Sequence, residues 1–337
     1  MKLARSLNDL STTAQLFPVF FHDCWLDYLR ETNANSQAFL CYDETQKIVV
    51  PFIVHPLHFL KKAAYIYVPL LLDGQRPGLD AEKDFIEQFH VFLSRENLCD
   101  VIFPPQHWCN FKCIPSRVTY FEIGIIGIDL RGSAEDIFNE MNTTYRKQIR
   151  KAEKLGVTTH FGYETFSDFY QLYADTHSRQ GLSHLTEPDI KKLIEKMPGN
   201  ILVGFSKTSA GAEHSNLSVF DNTQAYSFWG GSAASPVVPG SNKILMWGSI
   251  KALKSFGVKK YILGGYRNPD INDDKHNGIQ DFKLRFGADI EKGYHFIKIL
   301  SPLKYYLFSF ALKIKSLMSG KNLSFINTSG LEIKKSK

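Results

Sequence analysis

Short runs rich in β-branched and aromatic residues alternate with amphipathic stretches along the chain. The short runs are typical of strands, and the amphipathic stretches are typical of helices. Most of the predicted strands follow one another through short turns, which favours an antiparallel sheet with a helix beside it. In the first part of the chain the pattern predicts, in order, strands at 37–44, 47–56 and 63–71, a helix at 81–97, and strands at 99–105 and 118–125.

A similar order of elements starts again at residue 126. Ser133 and Asp136 form a capping-box-like start to a helix that we expect to run to about Leu155. The restart predicts an α+β fold built from two domains in tandem, 1–125 and 126–300, followed by a tail at 301–337. The elements predicted in the second part are a strand at 126–130, a short segment at 157–162, helices at 166–179 and 187–197, strands at 200–207, 215–221 and 224–231, a helix at 242–256, a strand at 259–265, a helix at 278–286 and a strand at 293–300.

The tail contains a predicted amphipathic helix. Its apolar positions are interrupted by lysines too often for the segment to cross a bilayer. Two interpretations remain open: the helix lies on an anionic membrane surface, or it docks on the protein's own sheet. The lysine-rich residues beyond it favour the membrane surface, through residues 302–337. The apolar positions on one face are Leu303, Leu307, Phe310, Ile314 and Leu317.

Composition agrees with two folded domains. The chain has 337 residues, of which 44% are hydrophobic and 22% are charged, and this is enough for two hydrophobic cores. It has five cysteines, an odd number, and its first residues lack the apolar region of a signal peptide. We therefore expect a cytoplasmic protein, with peripheral contact to the inner face of the membrane.

Positive charge is concentrated in one predicted helix. The net charge is +6, and the segment 142–156 carries five cations against Glu153 alone. Such a cluster favours an anionic partner such as a phosphate group, and a solvated helix face is the equally compatible alternative. The cations are Arg146, Lys147, Arg150, Lys151 and Lys154.

Two further segments contain candidate chemistry. Gly240, Ser241 and Asn242 precede or begin a predicted helix, whose N-terminal N–H groups are suited to binding phosphate unless they form an ordinary cap. In the segment 278–293, Lys283 lies within a stripe formed by Ile279, Phe282 and Phe286. This lysine either extends its ammonium into a cleft or lies at the edge of a core.

Four segments together resemble the FemABX-like proteins. They are TTYRKQIRKAEKLGV at 143–157, AYSFWGGSA at 225–233, NKILMWGSIKALKSFGVKKYILGG at 242–265 and DFKLRFGAD at 281–289. These proteins are acyl and aminoacyl transferases built from two fused GNAT-type (Gcn5-related acetyltransferase) domains. The resemblance implies a compact member of this group without the coiled-coil arm that some members contain.

The resemblance implies transfer of an acyl group from acyl-CoA to an amine of a bacterial cell-envelope or surface-polysaccharide precursor. The acceptor is then a phosphate-bearing small molecule or a lipid-linked one. Aminoacyl-tRNA is the alternative donor, for transfer to a peptidoglycan precursor. A binding module that retains the fold and a phosphate pocket without catalysis is a further alternative. No metal is implied.

The resemblance also assigns roles to residues. Donors for an oxyanion are expected from the backbone of a splayed strand within 215–231. His214 and its neighbour Glu213 are the candidate bases. The catalytic candidates are Lys283, Tyr226 and His214, and the binding candidates are Arg146, Lys147, Arg150, Gly240, Ser241, Asn242, Trp229, Gly264, Gly265 and Arg285.

Two positions depart from the pattern of the relatives. Ile262 stands where relatives commonly have an aspartate, and His184 is near the place where peptidoglycan-directed relatives have an arginine and a tyrosine for a diphosphate. These departures favour an acceptor other than a lipid-linked peptidoglycan precursor. His107, Cys109 and Cys113 imitate part of a metal site, but a second pair of ligands is missing from the spacing.

Overall fold

The computed structural model describes residues 1–10, 12–32, 35–103, 108–267, 274–319 and 333–336. The described chain forms two compact units that are each discontinuous in sequence. The sequence predicted consecutive domains instead, because pairing between strands that are distant along the chain leaves no local signal. The first unit contains Met1–Ile125, Gly265–Asp274 and Glu291–Lys337, and the second contains Ile126–Gly264 and Lys275–Ile290.

The strands, in chain order, are β1 Lys2–Ala4, β2 Gln37–Asp43, β3 Ile48–Leu57, β4 Leu60–Tyr65, β5 Leu70–Leu71, β6 Val101–Phe103, β7 Thr119–Asp129, β8 Thr158–Phe161, β9 Ile201–Thr208, β10 Gly211–Phe220, β11 Gln224–Ser232, β12 Lys260–Tyr266, β13 Asp289–Ile299 and β14 Lys334–Lys335. The α-helices are α1 Asp23–Thr32, α2 Leu79–Arg95, α3 Ala134–Glu140, α4 Thr143–Lys154, α5 Phe166–Arg179, α6 Glu187–Lys196, α7 Ser241–Ser255, α8 Asp274–Leu284 and α9 Pro302–Ser319.

The first unit is built on a sheet in which β1, β2, β3 and β4 are antiparallel neighbours and β6 lies parallel to β4. The chain crosses from β4 to β6 through α2, whose apolar face is buried because Phe85, Phe89 and Leu93 recur at helical spacing. The phenylalanines pack with buried Tyr65 in an aromatic core. Strand β13 then pairs antiparallel with β6.

The second unit has the same order of meander, crossover helix and parallel strand. Strands β8, β9, β10 and β11 are antiparallel neighbours, and β12 returns parallel to β11 after α7. This order repeats because each unit alternates a half-buried antiparallel meander with one amphipathic crossover helix. The predicted α+β class, with mostly antiparallel sheets flanked by helices, is confirmed.

One predicted helix is two helices in the structure. The Ser133 and Asp136 capping box is present at the start of α3, but the chain breaks at Asn142 before α4 begins. The Asn142 side chain accepts a hydrogen bond from the Thr144 N–H at 2.9 Å, and the Asn142 N–H donates to the Arg285 carbonyl oxygen at 2.9 Å. The prediction was wrong because this second N-cap lies inside an otherwise continuous helical pattern.

Helix α9 docks on the sheet of the first unit. Its buried face centres on Phe308, with Tyr305 and Leu312 packed beside it against a cluster that includes Leu60 and Phe103. The Lys304 ammonium forms an ion pair with buried Asp100 at 2.9 Å. Among the described residues, no helix has both the length and the apolar character needed to cross a membrane.

Candidate functional site

Strand β11 is bulged and separates from β12 in the second unit. Its pairing with β12 covers Gln224, Ala225 and Tyr226, although β11 continues to Ser232. On its other side the register shifts so that Leu217 lies opposite Trp229 while Ser218 lies opposite Ser227. The bulge and the end of the parallel pairing therefore coincide, within the segment 215–231 where the sequence predicted a splay. Backbone groups at such a place can face a ligand.

A buried polar network lies directly behind the splay. The Tyr261 hydroxyl is hydrogen-bonded to the Ser218 hydroxyl at 2.7 Å. The Asn216 amide donates to the Ser249 hydroxyl of α7 at 2.7 Å. Burial raises the pKa of Tyr261, so its hydroxyl stays protonated.

Helices α4, α7 and α8 meet around three aromatic rings and one lysine. The Tyr145 ring centroid lies 5.8 Å from that of Phe282 and 5.0 Å from that of Phe286. The Lys243 ammonium lies 4.8 Å from the Tyr145 ring centroid and 5.8 Å from the Phe282 centroid. Burial lowers the pKa of Lys243, and the nearby Arg285 adds to this effect.

Sequence reasoning missed Lys243. The signal was present, because the first turn of α7 carries this lysine and no acidic residue. A cation in the first turn opposes the helix dipole, so its presence there needs a compensating contact. The rings of Tyr145 and Phe282 supply such a contact.

Lys283 follows Phe282 in α8 and is half-buried. Burial lowers the pKa of its ammonium. Within the described part of the chain, the structure gives this ammonium no hydrogen bond and no ion pair. A partly desolvated cation without a protein partner is suited to binding negative charge on a ligand.

The basic face of α4 is exposed. Lys147, Arg150 and Lys151 face solvent, and none of them forms an ion pair with an acid among the described residues. The Arg150 guanidinium lies 5.3 Å from the Phe138 ring centroid. The Arg146 guanidinium is half-buried and donates to neutral oxygens of Asn139 and Thr143 at 3.3 and 3.2 Å. The positive charge on this helix face is therefore not neutralised by the described part of the protein.

The loop that leads into α7 binds a carboxylate of the protein itself. Glu213 is 2% exposed, and its side chain accepts from the Val237 N–H at 2.8 Å and from the Val238 N–H at 3.2 Å. The Thr208 hydroxyl donates to the same carboxylate at 3.3 Å. These donors lower the pKa of Glu213 against the opposing effect of burial, so the carboxylate is ionised at neutral pH.

This arrangement lies next to Gly240, Ser241 and Asn242, where a phosphate site stays a prediction. The Ser241 and Lys243 N–H groups donate to carbonyl oxygens of Val238 and Gly240 at 3.2 and 2.9 Å. Gly240 has φ 100°, and a Cβ atom there would lie 2.8 Å from the Gln148 carbonyl oxygen of α4. These backbone N–H groups are therefore already paired. A phosphate bound beside Glu213 would meet the negative charge of its carboxylate.

The two other catalytic candidates are not placed for direct chemistry. The Tyr226 side chain is 1% exposed, and its hydroxyl donates to the Gln224 amide oxygen at 3.3 Å, which is the geometry of a core residue. The His214 ring contacts the Ser232 hydroxyl at 2.8 Å through Nδ1. Burial lowers the pKa of His214 to about 4, so the imidazole is neutral and weakly basic at neutral pH.

Trp229 belongs to a group of rings at the end of β11. Its ring centroid lies 6.2 Å from that of Tyr173, which is 4.3 Å from His177 and 6.0 Å from His184. His184 is exposed and Trp229 is half-buried. His184 and His177 thus place two imidazoles beside the aromatic wall formed by Tyr173 and Trp229. Position 184 itself carries neither an arginine nor a tyrosine.

The remaining candidates lie around β12 and α8. Gly264 has φ 134°, which only glycine adopts readily, and Gly265 follows it in the strand. Ile262 is 1% exposed, so its apolar side chain suits a dry position. Arg285 is exposed and paired with Asp281 at 2.8 Å.

His107 of the partial metal motif lies outside the described residues. Cys109 and Cys113 are buried. Burial raises the pKa of Cys113 to about 12, which favours a protonated thiol rather than a metal-binding thiolate.

The FemAB family model matches residues 125–209, which include α4 and α5. Among solved structures, FemX is similar with a TM-score of 0.66 and 12% identity, covering 91% of this chain and 99% of that chain. The C-terminal domain of a protein proposed to be a lysylphosphatidylglycerol synthetase from Agrobacterium fabrum is similar with a TM-score of 0.52 and 12% identity, covering 80% and 86%. No curated protein matches the sequence.

These comparisons confirm the resemblance given by the four sequence segments. The fold is shared with FemX along nearly the whole chain. The match of residues 125–209 to the FemAB family, together with the fold shared with FemX, indicates a transferase of acyl or aminoacyl groups.

Proposed function

We propose that the protein transfers an aminoacyl group from aminoacyl-tRNA to an amine of a bacterial cell-envelope precursor. The observation that carries this choice of donor is Glu213. Its carboxylate accepts hydrogen bonds from the Val237 and Val238 N–H groups, a few residues before the helix start at which the sequence predicts phosphate binding. The charge of Glu213 disfavours a diphosphate at this place, so we prefer the alternative donor to acyl-CoA.

The exposed face of α4 supports a polyanionic donor. Lys147, Arg150 and Lys151 form no ion pair with a described acid, and Lys154 extends the same exposed surface. A tRNA backbone offers a row of phosphates to such a helix, whereas CoA offers only a few. Binding through several lysines and arginines releases counterions and is therefore sensitive to salt.

The chemistry requires little from titrating side chains. The acceptor amine attacks the ester carbonyl of the donor, the new C–N bond forms, and the C–O bond to the ribose oxygen breaks. The proton of the amine ends on that leaving oxygen. We assign backbone N–H groups of β11 at the splay to the oxyanion, and the Lys283 ammonium to the developing negative charge. Because the pKa of His214 is about 4, we assign it no role as the base.

The acceptor is proposed as a phosphate-bearing amine, either a small molecule or a lipid-linked one. Trp229, Tyr173, His177 and His184 offer an aromatic wall with two imidazoles at the end of β11. A sugar ring or a planar group can pack on such a wall. An aminosugar of a surface polysaccharide therefore fits this surface as well as a peptidoglycan intermediate does.

The donor is tested by binding. Differential scanning fluorimetry with acetyl-CoA, longer acyl-CoAs and free CoA, and filter binding with bulk aminoacyl-tRNA, measure the two donor classes on the same preparation. We expect aminoacyl-tRNA to bind and the CoA compounds to leave the melting temperature unchanged. A rise in melting temperature with an acyl-CoA, without tRNA binding, would instead establish acyl-CoA as the donor.

A further inference from the structure

Helix α9 carries a second apolar face that its docking on the first unit leaves uncovered. Tyr305, Phe308 and Leu312 form the docked face. The side chains of the other face recur every three or four residues, which places them on one stripe, and each is at least 44% exposed. They are Leu303, Leu307, Phe310, Ile314 and Leu317.

A further exposed aromatic residue lies on a turn beside the docked face of α9. Phe59 lies between β3 and β4, is 52% exposed, and contacts Phe308 edge to face with ring centroids 5.8 Å apart. The turn is tight, because His58 beside it has φ 55°. Contiguous apolar patches of this kind on a soluble protein usually mark a contact with a partner or a membrane.

Charge decides between the possible occupants of this surface. The sequence of α9 contains Lys304, Lys313 and Lys315 and no acidic residue. Lys304 is held by Asp100, while Lys313 and Lys315 are exposed beside the apolar stripe. Two identical helices packed through this face would bring lysines toward lysines. An anionic surface would instead meet them with opposite charge.

We propose that the exposed face of α9 binds the surface of a bilayer that contains anionic lipid. The helix lies in the plane of the interface with its stripe among the acyl chains and Lys313 and Lys315 at the headgroups. The docked face stays on the sheet, so the protein binds without unfolding any part of the first unit.

Flotation of the full chain tests this proposal. Vesicles of phosphatidylcholine alone are compared with vesicles that also contain phosphatidylglycerol, at low and high salt. We expect flotation with the anionic vesicles, and several-fold less with neutral vesicles or at high salt. Equal flotation with both vesicle types, or none with either, would overturn the proposal.

Point variants distinguish an effect on membrane binding from an effect on the stability of the fold. The double variant Phe310→Ser with Leu317→Ser removes two exposed side chains, and we expect it to lose flotation at least several-fold with an unchanged melting temperature. Val91→Ser is the matched control, because Val91 is an equally exposed apolar residue on α2. Flotation equal to that of the unchanged protein would contradict the proposal. Sedimentation without vesicles completes the test, and a dimer that the double variant dissociates would assign the face to a second copy instead.

Discussion

Lys283 is the residue on which the proposed chemistry depends most directly. Lys283→Met keeps an apolar side chain of similar length at this half-buried position and removes the ammonium. We expect transfer from aminoacyl-tRNA to fall about 100-fold or more, because a positioned charge at the oxyanion is removed. Binding of aminoacyl-tRNA should change little. Rates are measured with an extract of peptidoglycan and polysaccharide precursors as acceptors.

The control for Lys283 is an exposed lysine of the same unit, Lys259→Met. Burial lowers the pKa of Lys283, so its charged form costs stability in the folded state. The Lys283→Met variant should therefore melt no lower than the unchanged protein. A variant that loses activity and also unfolds would indicate a structural role, and full activity would remove Lys283 from the mechanism.

The contribution of the Glu213 carboxylate to the free energy of unfolding should depend on pH. Glu213→Gln keeps the shape of the side chain but loses the charge that receives the Val237 and Val238 N–H groups. We expect a loss of about 2 kcal/mol in the free energy of unfolding at pH 7. The folded-state pKa is depressed below the usual 4.5, so this stabilisation is present above about pH 4.5 and is lost as the pH falls through the folded-state value. Urea unfolding at pH 7 and in acid checks whether the difference between the two proteins shrinks.

Helix α9 carries two phenylalanines in opposite surroundings, one buried and one exposed. Phe308 is 7% exposed within the cluster on the sheet, and Phe310 is 64% exposed. We expect Phe308→Ala to cost about 3 kcal/mol, since it leaves a cavity, and Phe310→Ala to stay within about 0.5 kcal/mol. Thermal or urea unfolding measures the change in stability of each variant. Equal effects would mean that α9 is not docked through Phe308.

Elements could largely be predicted from the sequence, whereas their long-range pairing could not. The apolar stripe containing Leu303 and Phe310 was recognised from its spacing, but only the structure shows that Tyr305 and Phe308 bury the opposite face. The break at Asn142 escaped prediction because an N-cap inside a continuous helical pattern has a weak local signal. Contacts between segments that are distant in sequence determine which helix face is buried and where a helix breaks.

The residues of the candidate site also differ in how far the sequence alone predicts them. Lys283 stood out because a lysine within an aromatic stripe is unusual, and Lys243 was visible only as a cation opposing its helix dipole. The role of Glu213 depends on a loop that comes back to it more than twenty residues later, at Val237 and Val238. No local pattern predicts that the carboxylate binds the loop that leads into α7.

For the whole molecule, the proposed donor makes a prediction about salt. Charge reversal of Lys147 and Lys151 together should weaken tRNA binding and flatten the dependence of log affinity on log salt by about one unit for each phosphate that is no longer bound. Filter binding from low to physiological salt gives both quantities. Lys47→Glu with Lys83→Glu is the matched control, because it makes the same change in net charge on exposed residues of the first unit. If both double variants lower the affinity equally, the attraction comes from the net charge of +6 rather than from α4. A decrease in affinity and slope confined to the α4 variant would instead locate the phosphate-binding residues on that helix.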